Sequence, residues 1–268
     1  MGEIPQALWL FFEPTAILIL RKIHQGLVML KILRIIAVVL AAIIVCVIGT
    51  CYALIRLRHP SSVSVVAKMF SALHPLFGIK LISRSKPEFT QPAIYIGNHQ
   101  NNYDMVTISS MVPARTVSVG KRSLIWIPFF GLVYWATGNI FIHREKRSSA
   151  ISTMNKVGEI IRNKQISIWM FPEGTRSRGR GLLPFKTGAF HTAVVAGVPI
   201  VPIVCSTLHN KIDLNRLNNG VVICEQLDPI DTSGYNRENL KELIDKCHAV
   251  MQAKIAELDK EVAELERQ

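Results

Sequence analysis

A histidine and an aspartate stand five residues apart in the run Gly97-Asn98-His99-Gln100-Asn101-Asn102-Tyr103-Asp104. An imidazole ordinarily titrates at about pH 6.5, so it can serve as a base near neutrality. A carboxylate bonded to its far nitrogen fixes the tautomer and stabilises the imidazolium that forms. On one continuous helix the two side chains would point about 140° apart, and on a strand to opposite faces. They can meet only where the chain turns between them, and an Asn-rich stretch is good turn material. By itself the pair is weak evidence for chemistry, and it also fits a turn whose histidine caps a backbone group.

Two further runs carry chemistry. Gly138-Asn139-Ile140-Phe141-Ile142-His143-Arg144 is an apolar strand pattern ending in a cation, as if Arg144 were delivered to the rim of a sheet. Phe171-Pro172-Glu173-Gly174-Thr175-Arg176-Ser177 also follows an apolar run. Gly174 there allows a tight turn. Arg176 offers a bidentate fork for phosphate, and Thr175 and Ser177 add hydroxyls. Glu173 beside the arginine either orients it or binds a sugar-like hydroxyl. The loop continues through Arg178 and Arg180, a basic stretch that as a solvated segment could also bind RNA. The flanking apolar sequence favours a folded site. Val198-Pro199-Ile200-Val201-Pro202 marks the start or edge of a strand and carries no chemistry of its own. Lys121, Arg122 and Lys186 lie between or after these runs as further phosphate contacts or as ordinary surface charge.

The elements that must hold these residues alternate. Short apolar runs at 93–97, 116–119, 139–143, 166–171, 199–205 and 220–226 read as strands. Segments 56–82, 103–111, 148–163, 187–196 and 236–265 read as helices. Alternating β and α argues for a sheet covered by helices, and runs as apolar as Ile166–Phe171 suit a sheet buried on both faces. The expected fold class is therefore α/β: a mixed sheet with helices on both faces, preceded by a membrane-embedded helix. The stretch 124–136, almost wholly apolar and rich in aromatics, is either core or a lipid-facing wall.

Of the 268 residues, 49% are hydrophobic and 19% charged, which excludes a disordered chain. The net charge is +12. Residues 1–60 carry +4 and residues 236–268 carry −2, so the middle holds +10. A basic centre calls for an anionic partner. Five scattered cysteines without a CxxC pair argue against a disulfide framework or a zinc cluster. Ile35–Ile55 runs for 21 residues without a charge. As a helix it would be roughly 32 Å long, enough to cross a hydrocarbon core. Basic residues flank it on both sides, so an orientation does not follow, nor whether it spans or lies in one leaflet. The earlier run 8–20 is apolar but interrupted by Glu13 and Pro14. It reads as an interfacial or re-entrant segment, or as no native structure at all.

The four motifs, in this order, resemble the glycerolipid acyltransferase superfamily: N-H-x4-D, G-x-x-F-[IL]-x-R, F-P-E-G-T-R-S and [VI]-P-[IV]-[VI]-P. The longer stretches GNHQNNYDMVT, KRSLIWIPFFG and SIWMFPEGTRSRGRGLLPFKTGAFH resemble its bacterial 1-acyl-sn-glycerol-3-phosphate acyltransferase branch, from about Met29 to the C-terminus. The resemblance implies transfer of a fatty acyl group from acyl-CoA or acyl carrier protein to the sn-2 hydroxyl of lysophosphatidic acid, giving phosphatidic acid. It implies His99 as general base with Asp104 orienting it, and no acyl-enzyme. It implies Arg144, Arg176 and Lys121 on the acceptor phosphate, and Glu173, Gly174, Thr175 and Ser177 around the acceptor. Membrane lipids would be partners; nucleic acid, metal and bound cofactor would not. Met29-Leu30-Lys31 resembles the natural start of such a chain, so residues 1–28 read as an extension, 29–60 as the anchor and 61–268 as the catalytic domain. Its expected site is the cytoplasmic (inner) membrane of a bacterium, facing the cytoplasm. The rival readings are another lysolipid or glycerol 3-phosphate as acceptor, a membrane-anchored binding protein, and a His-assisted thioesterase.

Overall fold

A computed structural model describes residues 14–56, 58–86, 91–142 and 157–268, with side chains from Met29 onward. Helix α1 (Pro14–Ile55) opens it, followed by α2 (Ser62–Ser71). The strands are β1 (Lys80–Arg84), β2 (Ile94–Gly97), β3 (Thr116–Lys121), β4 (Ile140–Ile142), β5 (Ser167–Met170), β6 (Ile200–Cys205) and β7 (Val221–Gln226). Between and after them lie α3 (Phe130–Ala136), α4 (157–164), α5 (Gly188–Ala196) and α6 (Leu240–Leu265). The sheet order is β1-β7-β6-β2-β5-β3-β4. Every neighbouring pair is parallel except β6 with β7, so the sheet is mixed. Its central strands are buried along their whole length, as runs without polar alternation require. Helices α5 and α6 pack on each other and against β2, β6 and β7, while α2 packs on β3 and on the turn at 108–111.

Parallel pairing has one consequence for function. The C-terminal ends of β2, β3, β4, β5 and β6 all face one edge of the sheet, where open α/β sheets hold ligands.

Several elements depart from the sequence reading. The helix read over 56–82 is α2, then a 3-10 turn at His74–Phe77, then a strand. Gly78, with φ of +65°, ends the turn in the left-handed region, and its carbonyl accepts the Asn219 N–H at 2.7 Å. Strand β1 then pairs with β7 at the sheet edge, half exposed, so its apolar signal is weak. The helix read over 103–111 is two 3-10 turns, Asn102–Met105 and Ile108–Met111. Helix α6 starts at Leu240 rather than Asn236, because Asn236 and Asn239 turn their side chains onto the local backbone. Half of the helix read over 148–163 lies outside the described residues.

Helix α1 is longer than the charge-free run that predicted it. Proline suits the first helical position, where its missing N–H is no loss, and the helix opens on Pro14. Within Met29–Ile55 an 18-residue stretch has a mean hydropathy of 3.0, and few of its residues are buried. The helix lies along the α/β body. Its Arg34 donates to the carbonyls of Leu214 at 3.0 Å and Arg216 at 2.5 Å. Val45 and Cys46 pack with Val66 and Phe70 of α2 and Val133 of α3.

Candidate functional site

The turn that the His99–Asp104 spacing requires is built by asparagine. The Asn101 side chain accepts the Tyr103 N–H at 2.9 Å and caps the 3-10 turn Asn102–Met105. Asp104 reaches back from that turn. Its Oδ2 accepts the N–H of Gln100 at 2.8 Å and of Asn101 at 3.2 Å, and lies 2.6 Å from His99 Nδ1. A carboxylate only accepts, so a neutral His99 ring bonded this way donates from Nδ1 and presents Nε2 as its acceptor nitrogen. The aspartate is 4% exposed.

His99 is held at its backbone and ring face as well. Its ring stacks on Phe171 with centroids 4.1 Å apart and planes 16° from parallel. Its N–H donates to Glu173 Oε1 at 2.6 Å, and its carbonyl accepts the Ser177 N–H at 2.8 Å. The next carbonyl, of Gln100, accepts the Arg178 N–H at 3.0 Å. Thus the loop after β5 is stitched to the loop after β2. The two motifs meet as neighbouring strands of a parallel pair deliver them.

Sequence reasoning missed the anchoring of this loop to β6. Asn98 exchanges two hydrogen bonds with the Cys205 backbone, its Nδ2 donating at 2.9 Å and its Oδ1 accepting at 2.8 Å. The Gln100 amide donates to the Cys205 and Ser206 carbonyls and accepts the Leu208 N–H at 2.8 Å. Both side chains are buried. The only signal in the sequence was two amides flanking the histidine, which turn chemistry alone accounts for.

The remaining motif residues divide. Gly174, with φ of +68°, makes the turn that returns the chain, and the Lys186 side chain lies against it. Thr175 and Arg176 are exposed, while Ser177 is buried with its N–H engaged by His99. Arg180 folds back onto the carbonyls of Arg176 and Ser177. Lys121 ends β3 on the same sheet edge. Arg144 and His143 lie outside the described residues.

Glu173 is 2% exposed. Burial pushes its carboxyl above the ordinary value, and the N–H donors of His99 and Leu183 pull it partly back.

A cavity of about 180 Å³ opens beside this rim. His99, Asp104 and Arg176 stand at it. Its walls are apolar: Val63, Val66, Ala67 and Phe70 of α2, and Phe130 and Val133 of α3. Tyr134 lies in contact with Gly120, where any Cβ would strike its hydroxyl, and bonds Ser118 Oγ at 2.7 Å. The 124–136 stretch is therefore not simple core. Val133 and Ala136 are buried, but Trp126 is 84% exposed and Ile125, Ile127, Phe129, Leu132 and Trp135 face outward with it. The five cysteines are free thiols. Among the described residues no cluster of His, Cys, Asp or Glu is placed to hold a metal ion.

Residues 78–206 match the family described as Acyltransferase. The 1-acyl-sn-glycerol-3-phosphate acyltransferase of Haemophilus influenzae is 61% identical over 237 residues, covering 88% of this chain and 99% of that protein. The enzyme of the same name from Escherichia coli K12 is 56% identical over 241 residues, covering 89% and 98%. The crystal structure of the 1-acyl-sn-glycerophosphate (LPA) acyltransferase of Thermotoga maritima aligns with a TM-score of 0.67 over 87% of this chain and 97% of that one. At 19% sequence identity, that likeness shows a shared fold.

Proposed function

The chain belongs to the 1-acyl-sn-glycerol-3-phosphate acyltransferase family, and from that premise we propose that it acylates the sn-2 hydroxyl of lysophosphatidic acid to give phosphatidic acid. The observation that carries this reading is the His99–Asp104 pair at the mouth of an apolar cavity, with Arg176 beside it. The acyl donor is acyl-CoA or acyl-acyl carrier protein, both anionic, which suits a basic centre.

In this reading His99 Nε2 takes the proton of the acceptor hydroxyl as its oxygen attacks the thioester carbonyl. Asp104 holds the imidazole in the tautomer that leaves Nε2 unprotonated and stabilises the imidazolium. The tetrahedral intermediate collapses by breaking its carbon–sulfur bond. The departing thiolate then recovers the proton from His99, and no acyl-enzyme forms. Arg176, with Lys121 and Arg144, supplies cationic donors for the acceptor phosphate. Gly174, Thr175 and Ser177 shape the loop that presents Arg176. The apolar cavity takes an acyl chain.

Helix α1 supports attachment to the membrane. It touches the catalytic domain at Arg34 and again at Val45 and Cys46, so the domain lies beside the apolar run rather than beyond its end. That arrangement favours a helix lying in one leaflet over one that crosses the bilayer. Cytosolic donors place the site on the cytoplasmic face of a bacterial inner membrane.

The test is acyl transfer from labelled acyl-CoA to lysophosphatidic acid in detergent micelles, wild type beside His99→Ala. Loss of roughly 10²–10⁴-fold in kcat with an unchanged fold is expected for removal of a general base. A fully active variant would remove the mechanism. Release of free fatty acid without acceptor would mark a thioesterase instead.

A further inference from the structure

Glu173 sits in the motif whose residues the family resemblance assigns to the acceptor, yet the chain uses it otherwise. Its carboxylate is 2% exposed and does not line the cavity that His99, Asp104 and Arg176 share. Both oxygens are committed to backbone. Oε1 accepts the N–H of His99 at 2.6 Å, and Oε2 accepts the N–H of Leu183 at 3.0 Å. Among the described residues no Lys or Arg forms an ion pair with it. A buried carboxylate without a counter-cation is costly, and it is kept only where its hydrogen bonds compensate. Here those bonds tie three segments together: the loop after β2, the loop after β5, and the return of that loop at Leu183.

We propose that Glu173 is a positioning residue for His99, fixing the backbone from which the imidazole projects, and that it does not bind the acceptor. The inference rests on the reading of His99 as the base. Three other contacts fix the same residue: the Ser177 N–H on its carbonyl, Phe171 on its ring face and Asp104 on Nδ1. Glu173 supplies the one on its N–H. Without it the loop can rotate about the remaining points, and Nε2 moves relative to the substrate hydroxyl.

The two roles separate kinetically. An interaction made with bound acceptor in ground and transition states alike changes KM, whereas misplacement of the base changes kcat. Glu173→Gln keeps one acceptor oxygen and turns an NH2 group toward the other N–H. The expected result is a fall in kcat of roughly 10–100-fold, the size of loss that a base misplaced by an ångström gives. KM for lysophosphatidic acid is expected to stay within about twofold of wild type by the same argument. Glu173→Asp keeps the charge on a shorter stem, so it restores part of kcat. A raised KM with unchanged kcat would overturn the proposal, and so would wild-type kinetics in Glu173→Gln. Should the glutamine variant not fold, Glu173→Asp is read by the same criterion. His99→Ala assayed alongside distinguishes the failures. If that variant stays active, the reading of His99 falls; if it is dead while Glu173→Gln shifts only KM, the positioning role alone falls.

Discussion

On one side of the cavity His99 is held by its N–H, its carbonyl, a ring nitrogen and its ring face. On the other, Val66, Phe70, Phe130 and Val133 are held by packing. The polar wall is made of directional bonds, most of them between a side chain and a backbone group of another segment. The apolar wall is made of contacts that have no preferred direction. The difference follows from what each wall does in the proposed reaction. A proton transfer needs donor and acceptor within a few tenths of an ångström of one geometry. A hydrocarbon chain needs only volume and the exclusion of water. The apolar wall also continues outward into Trp126, Leu132 and α1, where large side chains lie open. Exposed patches of that kind mark an interaction surface.

The largest effect that would sharpen this contrast comes from filling the apolar wall. Ala67 lines the cavity from α2. Ala67→Phe is expected to shift acyl preference toward shorter chains, lowering kcat/KM for long donors by roughly 10-fold, the discrimination that a methylene or two in an apolar pocket provides. Short donors should react nearly as in wild type, because the variant touches no group on the polar wall. Competition between two labelled acyl-CoA species of different length reads the ratio directly. An equal loss for every chain length would mean that the walls are mechanically coupled and the contrast fails.

A smaller effect is expected at the outer face. Trp126 is 84% exposed, so Trp126→Ala removes little folded-state contact and should leave stability within about 0.5 kcal/mol. Partition onto anionic phospholipid vesicles should weaken by a few-fold, since tryptophan favours the membrane interface. Sedimentation with vesicles measures it. Wild-type partition would confine membrane attachment to α1.

The walls also differed in how much of them could be read from residues alone. The fold class, the central strands and the turn demanded by the His99–Asp104 spacing all follow from local pattern: apolar runs without alternation, and asparagines where the chain must reverse. The edge strand β1 did not, because its side chains are half exposed and its partner β7 lies some 140 residues away in the chain. Nor did the role of Asn98 and Gln100, whose partners at the end of β6 and just after it lie 105–108 residues distant. The α2 side of the cavity was invisible for the same reason. Val63, Val66, Ala67 and Phe70 look like any amphipathic helix until the sheet brings them opposite His99. Motif spacing speaks for the His99–Asp104 turn, whose bonds close within five residues of chain. Tertiary pairing decides the rest.

The smallest expected effect tests whether the polar wall is as settled as its bonds suggest. Burial pushes the Glu173 carboxyl above its ordinary value of 4.5, against the pull of its two N–H donors. The folded protein therefore holds that proton more tightly than the unfolded chain does. Between the ordinary value and the raised one, folding binds protons, so the contribution of this group to stability is full at lower pH and falls as pH rises through that window. The slope for one proton is at most about 1.4 kcal/mol per pH unit. Denaturant melts of wild type and Glu173→Gln across that range isolate it, because the glutamine does not titrate. Wild type should lose stability relative to the variant as pH rises. The opposite sign would show that the His99 and Leu183 donors outweigh burial, making the carboxylate a net stabiliser of the loop even when charged. The polar wall would then be held more firmly than burial allows, and the contrast between the two walls would widen.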